Sequence, residues 1–453
     1  MNKNPKIFVL CYPHFGSLDV WLPVVSRMND IEKHLKFTLI IPNVTIVKAL
    51  HKDNSLVRIS DSILDTILIH VHGDMWIEHA SIFDTIDWYQ KNRFILRLLD
   101  ILWRLSDKHL FFYILTRPLV FLLRNKIYIN EFKSKNLNNY VSKMDILLYD
   151  IHTEKNSMVL DILPLFDKNN KYSLLHGMDM RGADEVYPKR ISVNQNNIKL
   201  YAYSEIQQKY YEALYGFDKN KVHIVGIPRH DNKWINKMQK YSPELPKNFD
   251  KKTVLILTVP MHRFSYEHRI RALKDIKDIF IDKLKMKVVI KLHPNEKKEK
   301  IFYNKKENIY EKIFGLSNYE LTWIYSDMHI FALGKDKELV ISLGSGVVFD
   351  LIVIGTPCIE YTSFKSKPSD FDKHKTDYEN HLTDYVKYGF IEAVSNYHEL
   401  NTFVEKYIED PGQILTASKK VYNKYFPVFS DSSGIVATEI LQHNNIIDSS
   451  ICK

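Results

Sequence analysis

The residues able to do chemistry gather behind short apolar runs. His293 stands in KLHPNE (291–296), directly after KVVI. An imidazole there can donate a hydrogen bond to a phosphate oxygen and stabilise the negative charge that grows as a nucleotide leaves. Lys291 adds a cation, and Pro294 fixes the exit from the strand. An ordinary strand-end loop would carry the same dipeptide. Gly344, Ser345 and Gly346 lie between the apolar run LVISL and an apolar helix that closes at Gly355-Thr356-Pro357. Small residues at such a turn let a phosphate approach backbone N–H groups, with a serine hydroxyl beside them. Asp350, one turn into that helix, either bonds back to a loop or caps polar groups. Glu360, at the end of the next strand, either accepts ribose hydroxyls or is a surface carboxylate. Near the amino end, YPHFGSLDVWLP (12–23) offers His14 and Asp19 as acceptor contacts beside Gly16 and Ser17. Asp19 is either a general base or the cap of the helix that follows.

The elements that must position these residues read as alternating β and α. Strand-like runs occur at 6–12, 37–42, 145–150, 172–177, 199–204 and 222–226, and again at 253–260, 287–294, 329–333, 338–346 and 357–361. Near-continuous apolar strands separated by helices predict parallel sheets covered on both faces, with ligands beyond the carboxyl ends of the strands. The fold class is α/β, with two Rossmann-like domains whose parallel sheets face a central cleft. Residues 1–235 form the first, acceptor-side domain and 236–252 a polar linker with two prolines. Residues 253–425 form the nucleotide-donor domain, and 426–453 a C-terminal helix with a frayed tail after His443. The stretch from about 90 to 135, rich in Leu, Phe, Tyr, Arg and Lys, reads as an inserted helical pair. Two readings of it are open. It packs on its own domain with a solvated basic side, or it lays Trp103, Phe111, Phe112 and Tyr113 on an anionic membrane.

The order GIPRHD (226–231), TVLILTVPMHR (253–263), KLHPNE and LVISLGSGVVFDLIVIGTPCIEY resembles the carboxyl-terminal domain of CDP-glycerol glycerophosphotransferases of teichoic-acid synthesis. It is also similar to His-Pro-motif glycosyltransferases that use CMP-sialic acid or CMP-Kdo. Both have the GT-B architecture. The resemblance covers roughly residues 170–365. It implies a cytidine-linked donor, a glycan or lipid-linked acceptor, bacterial surface-polymer synthesis, and donor contacts from His293 and Ser345. LLHGMDMRG (174–182) is similar to the families' histidine-glycine strand end, which makes His176 a general base; a neutral imidazole accepts a hydroxyl proton well near pH 7. The chain departs from the teichoic-acid enzymes in having Gly-Ser-Gly where they have a serine pair, and KYGF (387–390) in place of an arginine–glycine–aromatic segment.

Length and composition bound the alternatives. The 453 residues exceed the roughly 250–300 at which one core stops growing. Three widely spaced cysteines show neither metal-site nor disulfide-framework spacing and suit a reducing cytoplasm. A net charge of +9 suits phosphate-bearing partners or an anionic membrane surface. No GxxxxGK[ST], HExxH or GxSxG run occurs, which argues against P-loop, zincin and hydrolase chemistry. Neither a metal nor a cofactor is expected, because helix dipoles and basic side chains can offset diphosphate charge. Two rival readings remain: a UDP-sugar 2-epimerase-like isomerase, and a non-catalytic scaffold for polyanions. Nucleic acid is disfavoured, because Lys and Arg are scattered without a dense stripe interleaved with aromatics.

Overall fold

The computed structural model describes residues 5–448 except 14, 53, 73–74, 107–109, 128–130, 134–139, 143–144, 176–190, 194, 250–251, 260–265, 294–295, 297–301, 304–306, 316–321, 363–375, 378–381 and 428. Two sheets carry the chain. The first begins with β1 (Lys6–Leu10), α1 (Leu18–Ile31), β2 (Lys36–Ile41), α2 (Ser55–Ile63), β3 (Thr66–His72) and β4 (Met75–His79). A helical hairpin follows, α3 (Ile82–Ser106) and α4 (Leu110–Ile127), and then β5 (Glu131–Lys133). It continues with β6 (Ile146–Tyr149), β7 (Asn170–Ser173), β8 (Ile198–Ala202), α5 (Glu205–Tyr215) and β9 (Val222–Ile224). The strand order is β5-β4-β3-β2-β1-β6-β7-β8-β9. It is parallel apart from the antiparallel β4 and β5 at one edge. Strand order reverses between β1 and β6, the switch point where such sheets open a crevice.

The second sheet repeats that logic. After α6 (Asn232–Tyr241) come β10 (Thr253–Leu257), α7 (Tyr266–Ile276), β11 (Lys287–Lys291), α8 (Ile309–Phe314), β12 (Trp323–Tyr325) and α9 (Ile330–Leu333). Then follow β13 (Leu339–Ser342), α10 (Val348–Ile354), β14 (Cys358–Tyr361) and β15 (Glu392–Val394). The order β12-β11-β10-β13-β14-β15 is parallel throughout, with its switch point between β10 and β13. Every residue of β10, β13 and β14 is buried, as strands covered on both faces require.

Helices α11 (Tyr397–Glu409) and α12 (Pro411–Tyr425) lead to α13 (Ser432–His443), which returns to pack on α1. One apolar cluster therefore joins residues of both sheets through α1, α6 and α13, including Trp21, Trp234, Met238, Phe349, Tyr422 and Val436.

Four sequence expectations change. Residues 329–333 are not a strand: the His329 ring accepts the Phe331 N–H and caps the short helix α9. The polar linker begins as α6, whose Trp234, Ile235 and Met238 supply a narrow buried face. The inserted pair starts at residue 82 and gives way to the edge strand β5. The tail is held beyond His443: the Asn444 amide donates to the Tyr172 hydroxyl at 2.7 Å.

Candidate active site

At the carboxyl edge of the second sheet, β11 delivers His293 just past its last residue. The His293 backbone N–H donates to the Thr258 hydroxyl at 2.9 Å. That hydroxyl in turn donates to Glu296. The Glu296 carboxylate is wholly buried against Arg269, with Nη1 at 2.6 Å, and accepts the Tyr310 hydroxyl at 2.5 Å. Arg269 also donates to the Val259 carbonyl at 2.8 Å. Ends of β10 and β11 are thus tied together through one ionic knot under His293. A buried pair of this kind gains little net stability, but removing one partner leaves an uncompensated charge. Sequence reasoning passed over Thr258, Arg269 and Tyr310, because nothing in their spacing reveals a contact spanning some fifty residues.

The glycine turn after β13 is braced from within. The Ser342 hydroxyl accepts the Gly344 N–H at 3.1 Å and the Ser345 N–H at 2.8 Å. Those two N–H groups are therefore engaged by Ser342. Gly344 has φ +94°, a left-handed conformation that a side chain would strain. At Gly346 an added Cβ would come within 3.0 Å of the Tyr385 hydroxyl. Glu360 pairs with Ser342 in the strand register and is 1% exposed, so it is not a surface carboxylate. Neither of its oxygens has a hydrogen-bond partner among the described residues. Burial pushes its pKa up to about 8, against a smaller opposing pull from the nearby Thr383 hydroxyl and with Asp384 adding repulsion. Lys291 turns its ammonium to the Met328 carbonyl, 2.5 Å away.

After β1 of the first sheet, Asp19 sits in the first turn of α1 and is buried. Its carboxylate accepts from Arg229 Nη2 at 2.9 Å, His329 Nε2 at 3.0 Å and Trp234 Nε1 at 3.3 Å. Burial alone would raise its pKa, but Arg229 and His329 overrule it and hold the carboxyl well below the usual range. The same Arg229 nitrogen lies 2.7 Å from Asp350, which also accepts from His230 Nε2 at 2.8 Å. Burial lowers the pKa of His230, against the opposing pull of Asp350. Its Nδ1 faces the Tyr422 hydroxyl at 2.6 Å. The last residue of GIPRHD, Asp231, accepts the Ser432 and Ser433 N–H groups at 2.9 and 2.6 Å and so caps α13.

A family model described as CDP-glycerol:poly(glycerophosphate) glycerophosphotransferase matches residues 172–440, more than half of the chain. The chain belongs to that family. As a member it is a transferase, and its two parallel sheets have the GT-B fold. The teichoic-acid polymerase TagF, in a variant form, aligns over 98% of this chain and 89% of its own, with 10% identity and a TM-score of 0.53. MnaA from S. aureus, in a co-structure with UDP, aligns over 98% of both chains at 12% identity and TM-score 0.53. The UDP-GlcNAc 2-epimerase of Methanocaldococcus jannaschii aligns over 97% of this chain and 100% of its own at 14% identity and TM-score 0.50. At such identities the likeness speaks for the fold alone. No curated protein matches the chain.

In this member of the family the structure brings His293, Ser345, Gly344, Gly346, Glu360 and Lys291 to strand ends of one sheet. Gly16 is exposed and Ser17 buried at the start of α1. His14, His176 and Pro294 lie outside the described residues. Asp350 bonds back to the 229–230 loop, the first of its two expected roles, and Asp19 is joined to the same arginine.

Proposed function

We propose that the chain transfers a glycerol-phosphate or related polyol-phosphate unit from a cytidine-linked donor to a hydroxyl of a growing teichoic-acid-like polymer. One observation carries the donor half of this reading: a buried carboxylate, Glu360, stands at the strand end beside the glycine turn with no well-formed hydrogen bond among the described residues, only the Thr383 hydroxyl being near it. Two vicinal ribose hydroxyls are the donors that such a group lacks. Ser345 and the backbone beyond it contact the diphosphate, and His293 donates to the phosphate that departs with the nucleoside.

In the reaction, the acceptor oxygen bonds to the phosphorus that bears the glycerol. The bond from that phosphorus to the CMP oxygen breaks, and CMP leaves with the electron pair. His176 takes the acceptor proton. Asp19 does not serve as base in this scheme, since its carboxylate already accepts from Arg229, His329 and Trp234. His14, Gly16 and Ser17 remain on the acceptor side. Closure of the cleft excludes the water that would otherwise take the phosphoryl group.

The test is thermal stabilisation by CMP, CDP, UDP, GDP and ADP, in the wild type and in His293→Ala, followed by CMP release from CDP-glycerol. Cytidine-selective stabilisation that His293→Ala loses, with CMP released only when acceptor is added, is expected. A uridine-selective shift with a new epimer formed from UDP-GlcNAc would replace this reading with an isomerase.

A further inference from the structure

KYGF (387–390), which stands in place of an arginine–glycine–aromatic segment, ends the short helix Asp384–Lys387. Gly389, at φ +76°, turns the chain back. The Phe390 and Ile391 N–H groups then donate to the Tyr385 carbonyl at 2.9 and 3.3 Å. Phe390 meets the buried Phe349 ring of α10 edge-on, with centroids 4.8 Å apart, and Tyr385 meets the same ring at 5.3 Å and 79°. Backbone and ring of Tyr385 are both fixed by these contacts.

The phenol so held reaches over the glycine turn. Its hydroxyl oxygen lies 3.0 Å from where a Cβ at Gly346 would stand, and its Cζ 4.0 Å from that point. Since Ser342 occupies the N–H groups of Gly344 and Ser345, a phosphate seated at this turn has fewer backbone donors to meet. A phenolic O–H is a donor at that place. At the other end of the same segment, Thr383 lies beside Glu360. It occupies the position before the first turn of the short helix, yet its hydroxyl does not cap it. That hydroxyl is buried and, like both Glu360 oxygens, has no well-formed hydrogen bond among the described residues. An ionised carboxylate only accepts, whereas an alcohol both donates and accepts. One alcohol group between them, donating to Glu360 and accepting from Thr383, satisfies both side chains.

We propose that Thr383 and Tyr385 are donor contacts: Thr383 shares a ribose hydroxyl with Glu360, and the Tyr385 hydroxyl donates to a diphosphate oxygen at Gly346. This rests on the donor reading above and adds to it one segment that recognises sugar and diphosphate together. Gly346 leaves room for the phosphate under the phenol; a side chain there would collide with the hydroxyl.

The test is calorimetric titration of the full-length protein with CDP, cytidine and 2′,3′-dideoxy-CDP. Tyr385→Phe should weaken CDP binding about tenfold or more and leave cytidine within about twofold, because only the hydrogen bond to the charged group is lost. Thr383→Val should weaken CDP about three- to tenfold, leave dideoxy-CDP unchanged, and be reversed by Thr383→Ser. Thermal melting of the ligand-free variants should match the wild type. The Tyr385 contact is overturned if Tyr385→Phe binds CDP like the wild type or loses cytidine equally. The Thr383 contact is overturned if Thr383→Val binds CDP like the wild type or weakens dideoxy-CDP as much as CDP. Should the wild type prefer UDP, the same variants tested with UDP, uridine and dideoxy-UDP decide both contacts while the cytidine reading falls. A wild type that binds no nucleoside diphosphate overturns the donor reading and both contacts with it.

Discussion

Asp19 of the first sheet and Asp350 of the second share one guanidinium nitrogen, Nη2 of Arg229, at 2.9 and 2.7 Å. The carboxylates belong to helices that follow the first strand and the fourth strand of their respective sheets. One side chain from the loop after β9 thus holds together the two switch points. His230 and Asp231 extend the same loop to Asp350 and to the start of α13, so three consecutive residues fasten the second sheet and the returning helix.

Replacing Arg229 with Met removes the countercharge from two buried acids. Breaking a buried pair costs about 3–5 kcal/mol, so urea denaturation should show a loss of at least that order. Adding Asp19→Asn and Asp350→Asn to the same chain should recover much of the loss, because no uncompensated charge remains. A single Arg229→Met variant as stable as the wild type would mean that the ion pairs do not form in solution.

Asp19→Asn alone should lower stability yet leave proton transfer intact. Loss of a general base costs about 10²–10⁴ in rate. A carboxyl held well below its usual pKa by Arg229 and His329 is a weak proton acceptor. The expected result is a fall in kcat of less than about tenfold, with the acidic limb of the pH–rate profile unmoved. A thousandfold fall with that limb abolished would return Asp19 to the chemistry.

Much of this was legible in the sequence, for physical reasons. β10, β11, β13 and β14 read as strands because burial on both faces demands unbroken apolar runs, and the motifs behind them fall at the sheet edge as a consequence. Residues 66–72, 323–325 and 392–394 were missed as strands, being short or interrupted by His and polar residues. HIFAL misled because a run of four apolar residues has no period of its own, and the histidine cap that makes it helical is one side-chain hydrogen bond. The Asp19–Arg229–Asp350 and Thr258–Glu296–Arg269 contacts join residues tens to hundreds of positions apart, and a single sequence has no register for that.

On the proposed donor reading, Thr258 is a positioning residue that acts on His293 through the His293 backbone N–H. Thr258→Val keeps the volume and removes the hydroxyl that accepts the His293 N–H and donates to Glu296. A small displacement of a reacting group costs as much as 10²-fold, so kcat/KM for the donor should fall by about 10- to 100-fold. Thr258→Ser, which restores the hydroxyl, should recover most of that rate. Equal rates for the Val and Ser variants, both merely less stable than the wild type, would reduce Thr258 to packing.

On the proposed donor reading, Glu360 makes donor binding a proton-linked event. Its pKa in the folded chain is raised from 4.5 to about 8, first by burial. Its contribution to stability is therefore fully present below pH 4.5 and is lost as pH rises through about 8, because ionisation then leaves a buried charge short of hydrogen-bond donors among the described residues. Over that window the ligand-free protein should lose stability on the order of 3–5 kcal/mol, and Glu360→Gln should flatten the slope. Ribose hydroxyls that donate to the carboxylate favour its ionised form, so a bound nucleotide pulls the pKa back down. At pH 7 CDP binding should then release close to one proton, seen as a calorimetric enthalpy that shifts with the ionisation enthalpy of the buffer, and affinity should rise with pH up to about 8. Binding without proton release, undiminished in Glu360→Gln, would move the ribose away from this carboxylate while leaving the family's transfer chemistry in place.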